Sequence, residues 1–205
     1  MVKKEKDNST EEKILAAAKK VFIARGMDGA RMQDIADEAG INKAMLHYYF
    51  RSKEQLFETI FKAVSGRFIS QLEELLASGL DFYQKIERVC EAYINMATEN
   101  PFMPIFVLSE VNRQPGTFIK KMFGGHLPNL APLAKQLQQE IKKGNIKKIS
   151  TEQLVMHIWS LCVFPFIAKP LFSGLLNIDE KKYRALMEER KKMVPRLIID
   201  SLKCS

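Results

Sequence analysis

An all-α fold is predicted from two observations. Apolar residues recur at three- and four-residue steps along nearly the whole chain, and no segment alternates apolar with polar residues as a half-buried strand would. A chain of 205 residues is long enough for one helical domain of moderate size, or for a small module joined to a larger one. The first helix is expected to open at Ser9 or Thr10, where Ser9 and Glu12 have the spacing of a capping box, and to carry Ile14, Ala17, Ala18, Val21 and Phe22 on its apolar face. Gly26 to Gly29 should end it, leaving residues 1–8 as a disordered, charged arm. Two short helices follow, Met32 to Ala39 and a second running to about Tyr49, with Gly40-Ile41-Asn42 between them.

Ser52 and Gln55 are spaced as another capping box, opening a longer helix with Leu56, Ile60, Val64, Phe68, Leu72 and Leu75 at helical steps. Asp81 should cap the next helix, which ends before Pro101. From Phe102 to Gly125 the prolines at 101, 104 and 115 and the Gly124-Gly125 pair predict short, irregular helices. A helix from about Pro128 to Lys143 leads to a basic loop, and Ser150 with Gln153 opens a strongly apolar helix that Pro165 and Pro170 should kink. The last helix, Asp179 to about Leu202, contains Pro195, which predicts a second kink or break.

Composition narrows the function. The formal net charge of +8 favours polyanionic partners, nucleic acid among them. The three cysteines stand far apart in the sequence and match neither a disulfide framework nor a zinc-ligand spacing, so reduced thiols are expected. No apolar run is long enough to span a membrane and the charged N-terminus has no signal-peptide core, which predicts a cytoplasmic protein with no membrane partner. The sequence holds no nucleotide loop or nucleophile motif, and His47, His126 and His157 lie far apart, so no catalytic residue, metal or cofactor is expected.

The segment Met32 to Arg51 fits the steric demands of a helix-turn-helix. Ala36 sits where the two helices meet and a large side chain would force them apart. Gly40, four residues on, suits the left-handed backbone of a tight turn. Ile35, Ala39, Ile41, Leu46 and Tyr49 supply apolar contacts between the helices. Asn42 is placed to cap the second helix, which leaves Lys43 facing outward. So short a second helix with a polar and aromatic outer surface is better explained by a surface that touches a partner than by a purely structural hairpin.

Residues from about Thr10 to Phe57 resemble the DNA-binding domain of the TetR family of bacterial regulators. The resemblance is carried by Ile14-Leu15-Ala16-Ala17-Ala18, Phe22, Gly26, Asp34-Ile35-Ala36, Ala39-Gly40-Ile41, Leu46, Tyr48, Phe50, Lys53, Glu54 and Leu56. It departs at Arg31, where Ser or Thr is common, at His47, where tyrosine is commonest, and at Ala44, where glycine is frequent. The resemblance implies a DNA-binding domain over residues 9–53, with its motif at about 32–51, and a helical effector-binding and dimerisation domain over 54–205. It also implies phosphate contacts from Arg31, His47, Tyr48 and Lys53, and groove-facing positions at Gln33, Asn42, Lys43, Ala44 and Met45. Lys43 is the candidate for reading guanine, because an ammonium can donate to its O6 and N7.

By the same resemblance the protein is a transcription regulator, expected to be a repressor. A small effector, apolar or aromatic, would release it from a palindromic operator in double-stranded DNA. Phe61, Phe68, Tyr93, Met96, Phe106, Met122, His126 and Trp159 are candidates for the effector pocket. A homodimer is expected, since one recognition helix reads too few base pairs to select a site. Its interface is placed on the last two long helices, with Phe164, Phe166, Leu171, Phe172 and Leu197 as candidates.

Overall fold

The computed structural model describes residues 2–113, 116, 118, 120 and 128–204, with side chains from residue 9 onward. Apart from a single antiparallel bridge between Ile146 and Lys203, the described residues form helices, turns and loops. The helices are α1 (Val2–Gly29), α2 (Met32–Ala39), α3 (Lys43–Tyr49), α4 (Lys53–Ala77), α5 (Phe82–Glu99), α6 (Phe102–Arg113), α7 (Ala131–Lys142), α8 (Thr151–Ile167), α9 (Lys169–Leu175) and α10 (Glu180–Leu202). The chain divides into two compact units, residues 1–65 and 66–205. No single helix among the described residues is long and apolar enough to cross a membrane.

In the first unit, α1 buries the expected stripe of Ile14, Ala17, Ala18, Val21 and Phe22. It begins at Val2, so residues 2–8 are helical where a disordered arm is expected, and Ser9 with Glu12 lies inside the helix. The physical reason is that the segment is rich in Lys and Glu, which lose little side-chain freedom in a helix. Gly26 interrupts α1 with φ 68° and ψ 175°, a conformation essentially restricted to glycine. Leu56, Phe57, Ile60 and Phe61 from the start of α4 are buried as well, with the Phe57 ring edge-on to Phe22 at 5.1 Å between centroids. That apolar stripe explains why the first unit reaches Ser65 and not residue 53.

The second unit is built around α5, which packs against α10, α8 and α7. Its core joins Ile86, Cys90 and Ile94 of α5 to Leu137, Leu154, Cys162 and Ile198. Capping follows the sequence. Asp81 accepts from Gln84 N at 2.9 Å while Gln84 reaches back to Asp81 N at 3.2 Å. Ser150 accepts from Gln153 N and Asp179 from Lys182 N. Between Phe102 and Arg113 the chain forms one regular helix, where short irregular pieces are expected. Pro101 precedes it and Pro104 lies in its first turn, where a missing N–H breaks no helical bond.

Proline decides the shape of α8. Pro165 has no N–H to give to the Leu161 carbonyl one turn earlier, and Arg190 of α10 fills the vacancy, its Nη2 donating to Leu161 O at 2.6 Å. Tyr183, two turns earlier on α10, donates from its hydroxyl to Pro165 O at 3.1 Å. The bend between α8 and α9, 67°, falls at Ala168, beyond Pro165, and Pro170 sits in the first turn of α9. The break expected at Pro195 does not occur. Val194, Pro195 and Ile198 are all buried, and their packing carries α10 across the missing bond.

Two further features were not visible in the linear order. Cys90 and Cys162, far apart in sequence, meet in the core, where the thiol–thiol hydrogen bond and burial hold the Cys90 thiol well above its ordinary range. Glu140 at the end of α7 gathers Asn145 Nδ2 at 2.7 Å, Lys143 Nζ at 2.8 Å and the Tyr83 hydroxyl at 3.1 Å. Asn145 first, then Lys143, keeps its carboxyl below the usual carboxylate range. This cluster shapes the basic loop, where Gly144 takes φ +74° and Ile146 is buried.

Candidate DNA-binding surface and effector cavity

Helix α3 stands on α2 through very few atoms. Ala36 and Ile35 are fully buried, which lets the two helices approach, and Leu46 is the one α3 side chain with no exposed surface. Gly40 adopts φ 66° and ψ 33°, so that its N–H reaches Asp37 O at 3.1 Å while Ile41 N reaches Ala36 O at 3.0 Å. This Schellman pairing closes α2. Asn42 Oδ1 then accepts from Met45 N at 2.7 Å and opens α3. The turn geometry expected of Gly40 and Asn42 is therefore present in full.

At the start of α2 a different device replaces the usual cap. An arginine cannot accept a hydrogen bond, and the Asp34 carboxylate instead takes one from Arg31 N at 3.2 Å and a second from Arg25 Nη1 at 2.6 Å. The Arg31 guanidinium has no acidic group within ion-pair distance among the described residues. The same holds for Lys43 and for Arg51, an exposed cation absent from the sequence-based set. Its signal was its position just after α3, two residues before Lys53.

Of the nine residues assigned to DNA, eight are exposed: Arg31, Gln33, Asn42, Lys43, Ala44, Met45, His47 and Tyr48. Tyr48 is the most accessible of the large hydrophobic side chains among the described residues, at 81%, and Met45 is 44% exposed. Gln33 is tethered to Asp37 Oδ1 at 2.8 Å. Lys53 is half-buried, its Nζ 3.4 Å from Asp28 O, which holds the ammonium beside the end of α1. A seven-residue rod with five exposed side chains, two uncompensated cations near it and one buried anchor has the build of a recognition helix.

Residues 14–60 match the family model described as bacterial regulatory proteins, tetR family. Over these residues the chain is similar to the DNA-binding region of that family. Similarity extends beyond the DNA-binding region. The transcriptional repressor NicS of Pseudomonas putida is 28% identical over 188 residues, 87% of this chain and 85% of that protein. The transcriptional activator FasR of Mycolicibacterium smegmatis is 32% identical over 82 residues, 40% of this chain; the chain spans only 37% of that relative. Among solved structures, the hemolysin II transcriptional regulator HlyIIR is 27% identical with a TM-score of 0.58, covering 97% of this chain and 99% of that one. Helix α3 lies within the matched residues, and its exposed face is the candidate DNA-binding surface.

The second unit contains an apolar cavity partly open to solvent. Phe68 and Leu72 of α4, Tyr93 of α5, and Ile158, Trp159 and Cys162 of α8 are among its walls. Tyr93 is the hub, edge-on to Phe68 at 5.7 Å and to Trp159 at 5.3 Å. Burial first, then the neighbouring Cys162, pushes its hydroxyl pKa up, to a value above the ordinary 10.0. Of the pocket candidates, Phe68, Tyr93 and Trp159 line this cavity. Phe61 does not: it is buried in the first unit. Met96 packs against the core and Phe106 is edge-on to Phe118 at 5.9 Å, so neither reaches the cavity wall. Met122 and His126 lie outside the described residues. A wall residue that sequence reasoning missed is Lys85, whose position among apolar neighbours gave no sign in the linear pattern.

Among the interface candidates, Phe164, Leu171 and Leu197 are exposed at 50 to 60%, and Phe172 is half-buried, edge-on to Phe164 at 5.9 Å. Phe166 is a correction. It is 4% exposed and packs edge-on to Tyr183 at 6.4 Å, because the helical period turns it toward α10 of its own chain.

Proposed function

We propose that the protein represses transcription as a homodimer bound to a palindromic operator, and that a small effector in the second unit's cavity releases it. Residues 1–65 are the DNA-reading head and residues 66–205 bind effector and dimerise. Lys43 and Met45 meet base edges, while Arg31, Tyr48 and Lys53 hold phosphates. Ala44 leaves room for a thymine methyl, and Gln33, Asn42 and His47 border the groove. The reading is carried by one observation above all: five of the seven α3 side chains are exposed on a helix fixed by Leu46, Gly40 and Asn42. Repression is favoured over activation because the likeness to the repressor NicS spans most of both chains.

Dimerisation follows from the apolar surface left on α8, α9 and α10. Phe164, Leu171, Met193 and Leu197 are all large, apolar and exposed in the single chain. A twofold contact through α8 and α10 of each copy would cover them and set the two α3 helices at successive major grooves.

The test is selection of bound genomic fragments by the purified protein, followed by binding measurements on the selected sequence. Lys53→Ala should weaken binding to every sequence about equally, whereas Lys43→Ala should flatten preference at one position in each half-site. Affinity of the parent protein should fall steeply with salt, about three decades or more between 50 and 200 mM for six or more phosphate contacts. Binding without sequence preference would refute the reading.

A further inference from the structure

We infer that the second unit carries its own contact for double-stranded DNA, a basic loop over residues 142–148 that grips the phosphate backbone without reading sequence. The inference goes beyond the regulator reading, which assigns DNA to the first unit alone. Charge is divided unevenly along the chain. Residues 1–65 hold 12 Lys and Arg against 10 Asp and Glu, whereas residues 66–205 hold 20 against 14, so most of the +8 surplus lies in the second unit. Four lysines, Lys142, Lys143, Lys147 and Lys148, fall at the end of α7 and in the loop that follows, and all four are exposed. Lys143 is paired with Glu140 at 2.8 Å, while Lys142, Lys147 and Lys148 have no acidic group within ion-pair distance among the described residues.

The loop is fastened at several points, so its charges are held close together. Gly144 turns it with φ +74°, Asn145 N donates to Glu140 O at 3.1 Å, and Asn145 Nδ2 donates to the Glu140 carboxylate at 2.7 Å. Lys147 N donates to Leu202 O at 2.7 Å beside the Ile146–Lys203 bridge, which ties the loop to the end of α10. Like charges at fixed positions repel one another, and an incoming polyanion relieves that repulsion. The composition of the loop selects among polyanions. Ile146, its one apolar residue, is 2% exposed, so no apolar side chain projects to enter a lipid surface. Lysine is depleted at protein–protein interfaces, whose energy comes from aromatic and arginine anchors that the loop lacks. Ammonium groups on a fixed backbone suit the closely spaced phosphates of a duplex, which they hold electrostatically and without base contacts.

The experiment follows binding of the full-length protein to fluorescent duplexes of unrelated sequence, by anisotropy, between 50 and 200 mM salt. One variant combines Lys142→Gln, Lys147→Gln and Lys148→Gln. A control combines Lys135→Gln, Lys181→Gln and Lys182→Gln, which remove the same charge from other exposed positions of the second unit. The loop variant should bind every duplex about tenfold or more weaker at 50 mM salt, and its slope of log affinity against log salt should be shallower by about three. The control should keep the parent's affinity and slope, and arginine at the three loop positions should restore binding. The single loop substitutions, each expected to lower the slope by about one, keep the test open if the triple variant does not fold. Sequence preference, which the α3 variants address, should be unchanged in the loop variant, so the loop assignment can fail while the regulator reading stands. Equal losses in the loop and control variants overturn the proposal, as does undiminished duplex binding by the loop variant. A loss confined to phosphatidylglycerol vesicles or polyglutamate overturns it too and gives the loop a lipid or protein partner. Absence of any duplex binding by the parent overturns this proposal and the regulator reading together.

Discussion

Arg190 and Pro165 are coupled through a carbonyl that neither owns, and a double-mutant cycle measures the coupling. Arg190→Met removes the donor to Leu161 O and leaves that acceptor unpaired in a partly buried position. Hydrogen bonds to charged groups contribute about 1.5 to 3 kcal/mol, and the partial exposure of Arg190 argues for the lower half of that range. Pro165→Ala restores a backbone N–H one turn after Leu161, so the helix satisfies its own carbonyl and the guanidinium becomes redundant. In that background Arg190→Met should cost about 0.5 kcal/mol, which gives a coupling of about 1 kcal/mol or more. The space lost with the proline ring is common to both arms and cancels in the cycle. Trp159, the chain's single tryptophan, lies in the same unit and reports urea unfolding by its fluorescence at fixed protein concentration. Costs that add to within about 0.3 kcal/mol would refute the reasoning.

Three other outcomes follow from particular geometries. Gly40→Ala should destabilise the first unit by about 1 to 2 kcal/mol in thermal or urea unfolding. The cost is purely conformational, because φ is +66° and an added Cβ meets nothing within 4 Å; Gly40→Asn should recover part of it. The Glu140 carboxyl is held below its ordinary value of 4.5, so its contribution is present above that pH and disappears as pH falls through the depressed value. The stability difference between parent and Glu140→Gln should therefore be largest at neutral pH and shrink below about pH 4.5. Phe164→Glu with Leu197→Glu places charges on two side chains that are more than half exposed in the single chain, so the fold should survive while sedimentation shows a monomer. A dimer that persists would move the interface elsewhere.

What the sequence disclosed and what it withheld divide by range. The turn at Gly40, the cap at Asn42, the small Ala36 and the anchor Leu46 all lie within ten residues of one another, and each is chosen by a local demand on backbone or volume. Such demands leave their mark directly in the residue type. The Arg190 bond to Leu161 spans 29 residues, and the thiols of Cys90 and Cys162 meet only because α5 and α8 pack. Lys85 sits in a helix whose pattern reads as amphipathic, and nothing local distinguishes a buried lysine from one facing water. Phe166 misled for a related reason: in so apolar a helix, composition alone does not separate the face that meets its own chain from the face left bare. Prolines were read too strongly, since packing carries α10 through Pro195 and a neighbouring helix repairs the gap at Pro165.

The slender attachment of α3 bears on how such a protein diversifies. Five of its seven side chains are exposed, so on the proposed reading mutation there would alter which base pairs are preferred at little cost to folding. Target choice and structural integrity would then be inherited on separate residues, and a lineage could exchange one set of regulated promoters for another while the scaffold beneath stays as it was.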